Sequence, residues 1–195
     1  MRLFTYSVAV GVSAMLFVRD SVLEVHGVTG QSMAPTLSPL YNETGKKDFL
    51  FFNRLAAPQL LRRGDIISFW APHKPEQISV KRVVALPGDS VITRGRYPFK
   101  KVLVPYNHVW VEGDNWRDTV DSNDFGPMGR SDMELPLMLL PSLQIPMGLI
   151  TGRAEYRVWP LNRRGTVPDP NVEFKTYSKV IPAKEPSKLP PEYAD

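Results

Sequence analysis

Apolar residues in this chain occur in short blocks, and within several blocks they alternate with polar residues, which is typical of half-buried strands. Gly, Pro, Asp and Asn lie between the blocks, as expected for turns. We therefore expect a mainly β fold, either a sandwich or a barrel. The predicted strands are 22–28, 49–55, 66–70, 77–86, 90–93, 101–104, 108–112 and 154–159.

The longest apolar run near the N-terminus, residues 3–18, contains no charge and is followed by Arg19 and Asp20. A signal peptide, a membrane anchor and a buried helix are the three alternatives, but no small-x-small cleavage site follows the run. As a helix it would be roughly 24 Å long, against ~30 Å for a bilayer core, and Arg19 can extend it by snorkelling. We favour an uncleaved transmembrane anchor over residues 3–19; the few flanking charges leave its orientation open.

The remaining chain is predicted to form one domain, residues 20–162, and a tail. Between residues 134 and 150 the chain is apolar but contains Pro136, Pro141 and Pro146, which predicts an irregular loop against a membrane or a partner. Residues 163–195 are polar and rich in proline, so we expect a mobile C-terminal tail.

The composition of the chain argues against several classes of function. The net charge is +4, and the basic residues are scattered without an arginine-rich arm, which argues against a nucleic-acid partner. The chain has no cysteine, which excludes disulfides, thiolate catalysis and cysteine metal sites. The three histidines lack metal-ligand spacing, and the Ser-Lys chemistry considered below needs no metal and no cofactor.

A serine lies on a predicted corner in the stretch 30–37, Gly-Gln-Ser-Met-Ala-Pro-Thr-Leu. Pro35 fixes its own φ and favours an extended conformation at Ala34, so a helix cannot continue past Ser32. A hydroxyl on such a corner, beside a free backbone N–H, suits a nucleophile. An ordinary turn serine is the alternative, and this stretch taken alone favours it, because Ser, Gly and Pro dominate turns.

Lys81 lies in the longest predicted strand, 77–86, where apolar residues occur on both faces. Burial of a lysine lowers its pKa from about 10.4, by as much as about 3–5 units. A neutral amine beside Ser32 can accept its proton, which is the Ser-Lys variant of nucleophile activation. The alternative is a snorkelling lysine on an edge strand that discourages aggregation.

Four sequence boxes occur in order behind the apolar N-terminus. They are 30–37, 63–67 (Arg-Gly-Asp-Ile-Ile), 80–89 (Val-Lys-Arg-Val-Val-Ala-Leu-Pro-Gly-Asp), and 113–115 with 119–127. Together they resemble the boxes of the type I signal peptidases, which are membrane-anchored Ser-Lys endopeptidases, and the resemblance covers most of residues 1–160. Ser32 stands in the box that resembles the nucleophile box, and Lys81 in the one that resembles the general-base box.

The last box is similar to that of the subunit-2 type of the mitochondrial inner membrane peptidases. Bacterial members usually carry an arginine where this chain has Asn123. The resemblance implies a second peptidase subunit of the same family as heterodimer partner, contact with membrane lipid, and precursor proteins as substrates. It also implies a single-pass inner-membrane location with the catalytic domain in the intermembrane space, where sorting signals are removed. A bacterial or thylakoid leader peptidase and a catalytically silent scaffold subunit are the alternatives.

The resemblance also implies roles for individual residues. Ser32 is the nucleophile, Lys81 the general base, and Thr119 the residue that orients the lysine. Asp121 and Ser122 support the last box, with the usual arginine partner of Asp121 absent. Gly30 replaces a serine whose hydroxyl helps some members stabilise the oxyanion, which leaves the Ser32 N–H as one identified donor.

We expect the substrate to bind as an extended strand, because main-chain hydrogen bonds serve many sequences. The predicted binding residues lie in two segments, one before Ser32 and one before Lys81: His26, Val28, Thr29, Gln77 and Ser79. Asp65, Asp89 and Asp114 each lie beside a glycine and are interpreted as turn residues.

Overall fold

The computed structural model describes residues 5–8, 10–13, 23–55, 60–72, 74–94, 99–124, 145–168 and 177–184. Eleven strands are assigned within these residues. They are β1 Leu23–Val28, β2 Asp48–Asn53, β3 Ile66–Ala71, β4 Lys74–Ala85, β5 Ser90–Ile92, β6 Lys101–Leu103, β7 His108–Glu112, β8 Ile145–Pro146, β9 Ile150–Trp159, β10 Gly165–Thr166 and β11 Lys179–Ile181. A short helix, α1 Tyr41–Thr44, and 3₁₀ turns at Met147–Leu149 and Leu161–Arg163 connect some of them.

The strands form two antiparallel sheets. The larger sheet has the order β1-β2-β9-β3-β4-β7-β8, with β10 added to β9. The smaller sheet has the order β11-β5-β6. The predicted mainly β class is thus confirmed, and each predicted strand has an observed counterpart.

The larger sheet is open in the part of the chain that the structure describes. Its end strands, β1 and β8, pair with β2 and β7 respectively and not with each other. A closed barrel requires its first and last strands to pair, so the barrel alternative is wrong. Alternation of apolar residues predicts strands but carries no information on whether two distant edges meet.

Residues 5–8 and 10–13 are helical, but no helix among the described residues is long and apolar enough to cross a membrane. The predicted anchor, residues 3–19, lies partly outside the described residues.

Two further predictions need correction where the structure describes their residues. The apolar segment 134–150 lies outside the described residues up to 144, but 145–149 form β8 and a 3₁₀ turn, and Ile150 begins β9, instead of an irregular loop. The predicted tail is paired where it is described: β10 adds to β9, and β11 pairs with β5. Polar and proline-rich composition predicts mobility there. Strands of two and three residues nevertheless pair with the available edges of β9 and β5.

The core consists of three apolar clusters. One lies beneath the stretch 30–37 and includes Met33, Leu37, Leu50 and Phe52, with Val80 of β4 packed against it. A second lies between β3, β4, β7 and β8. The third joins Val91 of the smaller sheet to the β4–β7 end of the larger one, including Trp110. The first cluster therefore packs the Ser32 stretch against β4.

Candidate active site

Core packing and backbone hydrogen bonds fix the position of the Ser32 turn. Met33 and Leu37 are buried in the core, and the Leu37 N–H donates to the Met33 carbonyl at 2.8 Å. The Asn115 N–H donates to the Ser32 carbonyl at 3.0 Å. Gly30 has a φ of +80°, a left-handed conformation that glycine adopts without a steric penalty. The serine is thus fixed on a turn that the surrounding fold determines.

Lys81 reaches this turn from β4. Its Nζ lies 2.8 Å from the Ser32 Oγ and 3.1 Å from the Val80 carbonyl oxygen. The two residues are 49 positions apart, so the fold and not local sequence brings them together. The predicted proximity of Ser32 and Lys81 is confirmed as geometry.

The surroundings of Lys81 favour its neutral form. The residue is only 6% exposed, and burial lowers its pKa from 10.5 to about 8. The negative charges of Asp121, Asp114 and Asp118 act in the opposite direction and limit the decrease. A pKa of about 8 leaves about a tenth of the amines neutral at pH 7, which is useful for a general base near neutral pH.

This arrangement can activate the hydroxyl for nucleophilic attack. The neutral Lys81 amine has a lone pair that can accept the Ser32 proton across the observed contact. The backbone N–H of Ser32 donates to no acceptor among the described residues, so it is available to an oxyanion. Gly30 supplies no hydroxyl, and a Cβ built on it would meet no atom within 4 Å.

Thr119 lies beside the nucleophile turn but does not hydrogen-bond to Lys81. Its Oγ1 is buried and has no hydrogen-bond partner in the described part of the chain. A Cβ on Gly113 would collide with the Thr119 side chain and approach the Ser32 carbonyl oxygen to 2.6 Å. Glycine at position 113 therefore lets Thr119 and the Ser32 turn come together, and lysine orientation by Thr119 stays a prediction.

Asp121 and Ser122 are completely buried and hold the last box to β7. Asp121 accepts the Gly113 N–H at 3.1 Å, and the Ser122 Oγ accepts the Val111 N–H at 3.0 Å. The usual arginine partner of Asp121 is absent, because Asn123 stands at its position. Arg94 pairs with Asp121 instead, with its Nη2 2.8 Å from the Asp121 Oδ2. Sequence reasoning missed Arg94 because it lies outside the four boxes.

The carboxylates beside glycines serve different purposes. Asp65 and Asp89 accept backbone N–H groups three residues away, which confirms their turn role. Asp89 also binds the Arg63 guanidinium in a bidentate pair at 2.8 and 2.7 Å. Burial opposes ionisation of Asp89, but hydrogen bonds from Arg63 and backbone N–H groups hold its pKa below the usual range. Asp114 instead forms a bidentate pair with Arg82, at 2.7 and 2.6 Å.

Comparison with known proteins finds relatives among the peptidases. Residues 1–97 match the family model described as signal peptidase, peptidase S26. The chain is 38% identical over 157 residues to mitochondrial inner membrane protease subunit 2 of Saccharomyces cerevisiae, covering 80% of this chain and 78% of that protein. It is 33% identical over 163 residues to subunit 2 of Danio rerio, covering 83% and 78%.

The chain belongs to the S26 signal peptidase family.

A third S26 relative is subunit 1 of the Homo sapiens mitochondrial inner membrane protease. It is 34% identical over 140 residues, covering 70% of each chain. Membership of the family identifies the chain as a signal-peptidase-type protease. No three His, Asp or Glu side chains among the described residues form a group that could hold a metal ion.

The residues predicted to bind substrate in this S26 peptidase lie on β1, directly after it, or on β4. Among the described strands, β1 pairs with β2 alone, and β4 pairs with β7 only from Arg82 onward. Among the described strands, none pairs with that side of β4 between residues 77 and 81. Gln77 and Thr29 are exposed and Ser79 is half-buried.

His26 and Val28 differ from the other predicted binding residues. The His26 Nε2 lies 2.8 Å from the Glu24 Oε1. The Val28 side chain is 5% exposed within the core, and its carbonyl accepts the Ser38 hydroxyl at 2.8 Å. The Val28 side chain is therefore part of the fold.

Proposed function

We propose that this chain is a catalytic Ser-Lys endopeptidase subunit of the mitochondrial inner membrane type. Ser32 is the nucleophile and Lys81 its general base. The observation that carries this proposal is the 2.8 Å contact between the Ser32 Oγ and the buried Lys81 Nζ. A turn serine or an edge-strand lysine would need neither that contact nor that burial.

The proposed reaction proceeds through an acyl-enzyme. Neutral Lys81 takes the Ser32 proton while the Oγ attacks the scissile carbonyl, and the Ser32 N–H stabilises the oxyanion. The protonated lysine then gives its proton to the leaving amine. Water, activated by the same amine, hydrolyses the ester and restores both residues.

The proposed substrate is a precursor segment in extended conformation. It would lie between β1 and the N-terminal half of β4, whose outer edges are unpaired among the described strands. Outward-facing backbone groups of this half of β4 and of Thr29 would form its hydrogen bonds, with Gln77 and Ser79 beside them, which suits a peptidase that cuts several sequences. Shallow apolar pockets would select small side chains before the cleavage point.

The location and partner that we propose follow from the relatives. Several are named as subunits 1 and 2 of a mitochondrial inner membrane protease. A heterodimer with a second S26 subunit, with the catalytic domain in the intermembrane space, is the corresponding proposal for this chain. The uncharged segment 3–18 would attach the chain to the membrane. Removal of sorting signals from imported precursors is the activity that fits this location.

Ser32→Ala in the full-length chain, purified with its associated subunits, tests the nucleophile. We expect cleavage of a radiolabelled precursor to fall at least about 10³-fold, because no other group can form the ester. Ser90→Ala, in β5 of the smaller sheet, is the matched control and should cleave normally. Normal processing by the Ser32→Ala complex would contradict the proposal and indicate a scaffold subunit.

A further inference from the structure

Arg94 follows β5 and holds two residues of the last box. Its Nη2 donates to the Asp121 Oδ2 at 2.8 Å, and its backbone N–H donates to the Asn123 Oδ1 at 2.9 Å. The Arg94 side chain is 21% exposed, whereas that of Asp121 is completely buried. A carboxylate in such a place is costly unless a cation and hydrogen bonds compensate its charge.

Asp121 transmits this anchoring towards the dyad. Its Oδ2 also accepts the Gly113 N–H, and Gly113 is the residue whose missing Cβ lets the Ser32 carbonyl and Thr119 approach. Two residues further, the Asn115 N–H donates to the Ser32 carbonyl. A continuous set of contacts therefore connects the Arg94 guanidinium to the nucleophile turn.

The C-terminal part of the chain covers this arginine. The Tyr177 ring centroid lies 5.9 Å from the Arg94 guanidinium carbon and 6.1 Å from the Trp116 ring. The Arg94 Nη1 lies 3.5 Å from the Trp116 carbonyl oxygen. These contacts restrict the guanidinium to the Asp121 side, while β11 holds β5 in place.

We propose that Arg94 is a positioning residue of the dyad, because its guanidinium holds the Asp121 carboxylate, and with it residues 113–123, against Ser32 and Lys81. The inference rests on the proposed Ser-Lys function. Arg94 lies outside the four boxes, and its positive charge compensates the buried negative charge of Asp121 in the last box. Asn123 links Arg94 to Glu112. Its Oδ1 accepts the Arg94 backbone N–H, and its Nδ2 donates to the Glu112 Oε1 at 3.0 Å.

The charge of Arg94 has a predictable effect on Lys81. The carboxylates that act on Lys81 are those of Asp121, Asp114 and Asp118. Arg82 compensates Asp114, and Glu112 lies 3.8 Å from the Arg94 Nη2. Without the Arg94 charge, the uncompensated Asp121 carboxylate would stabilise the ammonium form more strongly, so the pKa of Lys81 would rise.

The test compares Arg94→Ala, Arg94→Gln and Arg94→Lys in the full-length chain with its associated subunits. Arg117→Ala is the matched control, because its guanidinium stacks on the same Trp116 at 4.9 Å. The first readout is kcat/KM for one precursor between pH 6 and 10. The second is the NMR titration of the Lys81 side chain in a Ser32→Ala background, which does not depend on cleavage.

We expect the acid limb of the profile to move up by about 0.5–1 pH unit in Arg94→Ala and Arg94→Gln, so that kcat/KM at pH 7 falls about three- to tenfold. Arg94→Lys keeps the charge and should stay near wild type, as should Arg117→Ala. The Lys81 titration should move in the same direction. Should Arg94→Ala fail to fold, Arg94→Gln, which keeps an N–H donor, carries both readouts.

The inference would be overturned if Arg94→Ala and Arg94→Gln left both the acid limb of the kcat/KM profile and the Lys81 titration unchanged. An equal shift in Arg94→Lys would overturn it too, because the charge would then not be the cause. These results are distinct from failure of the proposed function. That failure would appear as cleavage by Ser32→Ala, while the NMR titration would still report on Arg94.

Discussion

Lys81 and Arg82 are adjacent cations of β4 that lie in different surroundings on its two faces. Lys81 and Arg82 are both buried, at 6% and 3% exposure, and the alternation of a strand points them to opposite sides. Arg82 meets the Asp114 carboxylate in a bidentate pair and the Gly64 carbonyl oxygen at 2.8 Å. The Lys81 Nζ contacts a hydroxyl and one carbonyl oxygen, and it donates to no carboxylate within the described residues.

The difference shows how one strand can supply both a structural cation and a base. A buried cation with a bound carboxylate keeps its charge, because the pair compensates part of the lost hydration. A buried lysine without such a partner becomes easier to deprotonate. The adjacent pair Lys81–Arg82 therefore combines stability on one face with proton transfer on the other.

Removing Arg82 should have the largest effect on stability. Arg82→Met leaves the Asp114 carboxylate without its partner, and breaking a buried pair in this way costs about 3–5 kcal/mol. The free energy of unfolding, measured by urea titration at pH 7, should fall by that amount. Arg62→Met, an exposed arginine of the adjacent turn, should change it by less than about 0.5 kcal/mol. If Arg82→Met and Arg62→Met had equal free energies of unfolding, Arg82 would not be the structural cation that its face of β4 requires.

Removing Lys81 should have a smaller effect of opposite sign. Below pH 8 the folded protein carries a buried ammonium whose pKa, about 8, lies below the unfolded value of 10.5. At about 1.36 kcal/mol per pH unit, that difference costs the folded state up to about 3 kcal/mol. Lys81→Met should therefore be more stable than wild type at pH 7 by up to that amount.

The pH dependence identifies the cause of this gain. Between pH 8 and 10.5 the unfolded chain binds the extra proton, so wild-type stability rises with pH and the advantage of Lys81→Met disappears. Lys74→Met, at the exposed start of β4, should show no such dependence. An advantage that stays constant up to pH 10.5 would show that side-chain packing, not the ammonium, is responsible.

Much of the site could be predicted from the sequence, because its residues lie in recognisable boxes. The Ser32 corner and the Lys81 strand follow from a proline, a glycine and alternating apolar residues. The pairing of Arg94 with Asp121 could not be predicted, because it depends on where β5 lies, and β11 from the supposed tail contributes to that. No periodicity connects residues 94 and 121.

The fold shows the same limit. Strand positions follow from local alternation, but sheet closure and the pairing of short polar strands depend on contacts between distant segments. The predicted barrel was wrong for this reason, and predicted mobility of the tail was wrong for the described residues that form β10 and β11. The predicted strands succeeded because each is determined by residues close in sequence.

The pH dependence of kcat/KM for wild-type enzyme on a single precursor tests the central claim most directly. If neutral Lys81 is the base, the rate should rise about tenfold per pH unit below pH 8 and level off above it, with an apparent pKa of about 8. A rate that is constant between pH 6 and 9 would contradict the assignment of Lys81 as the base.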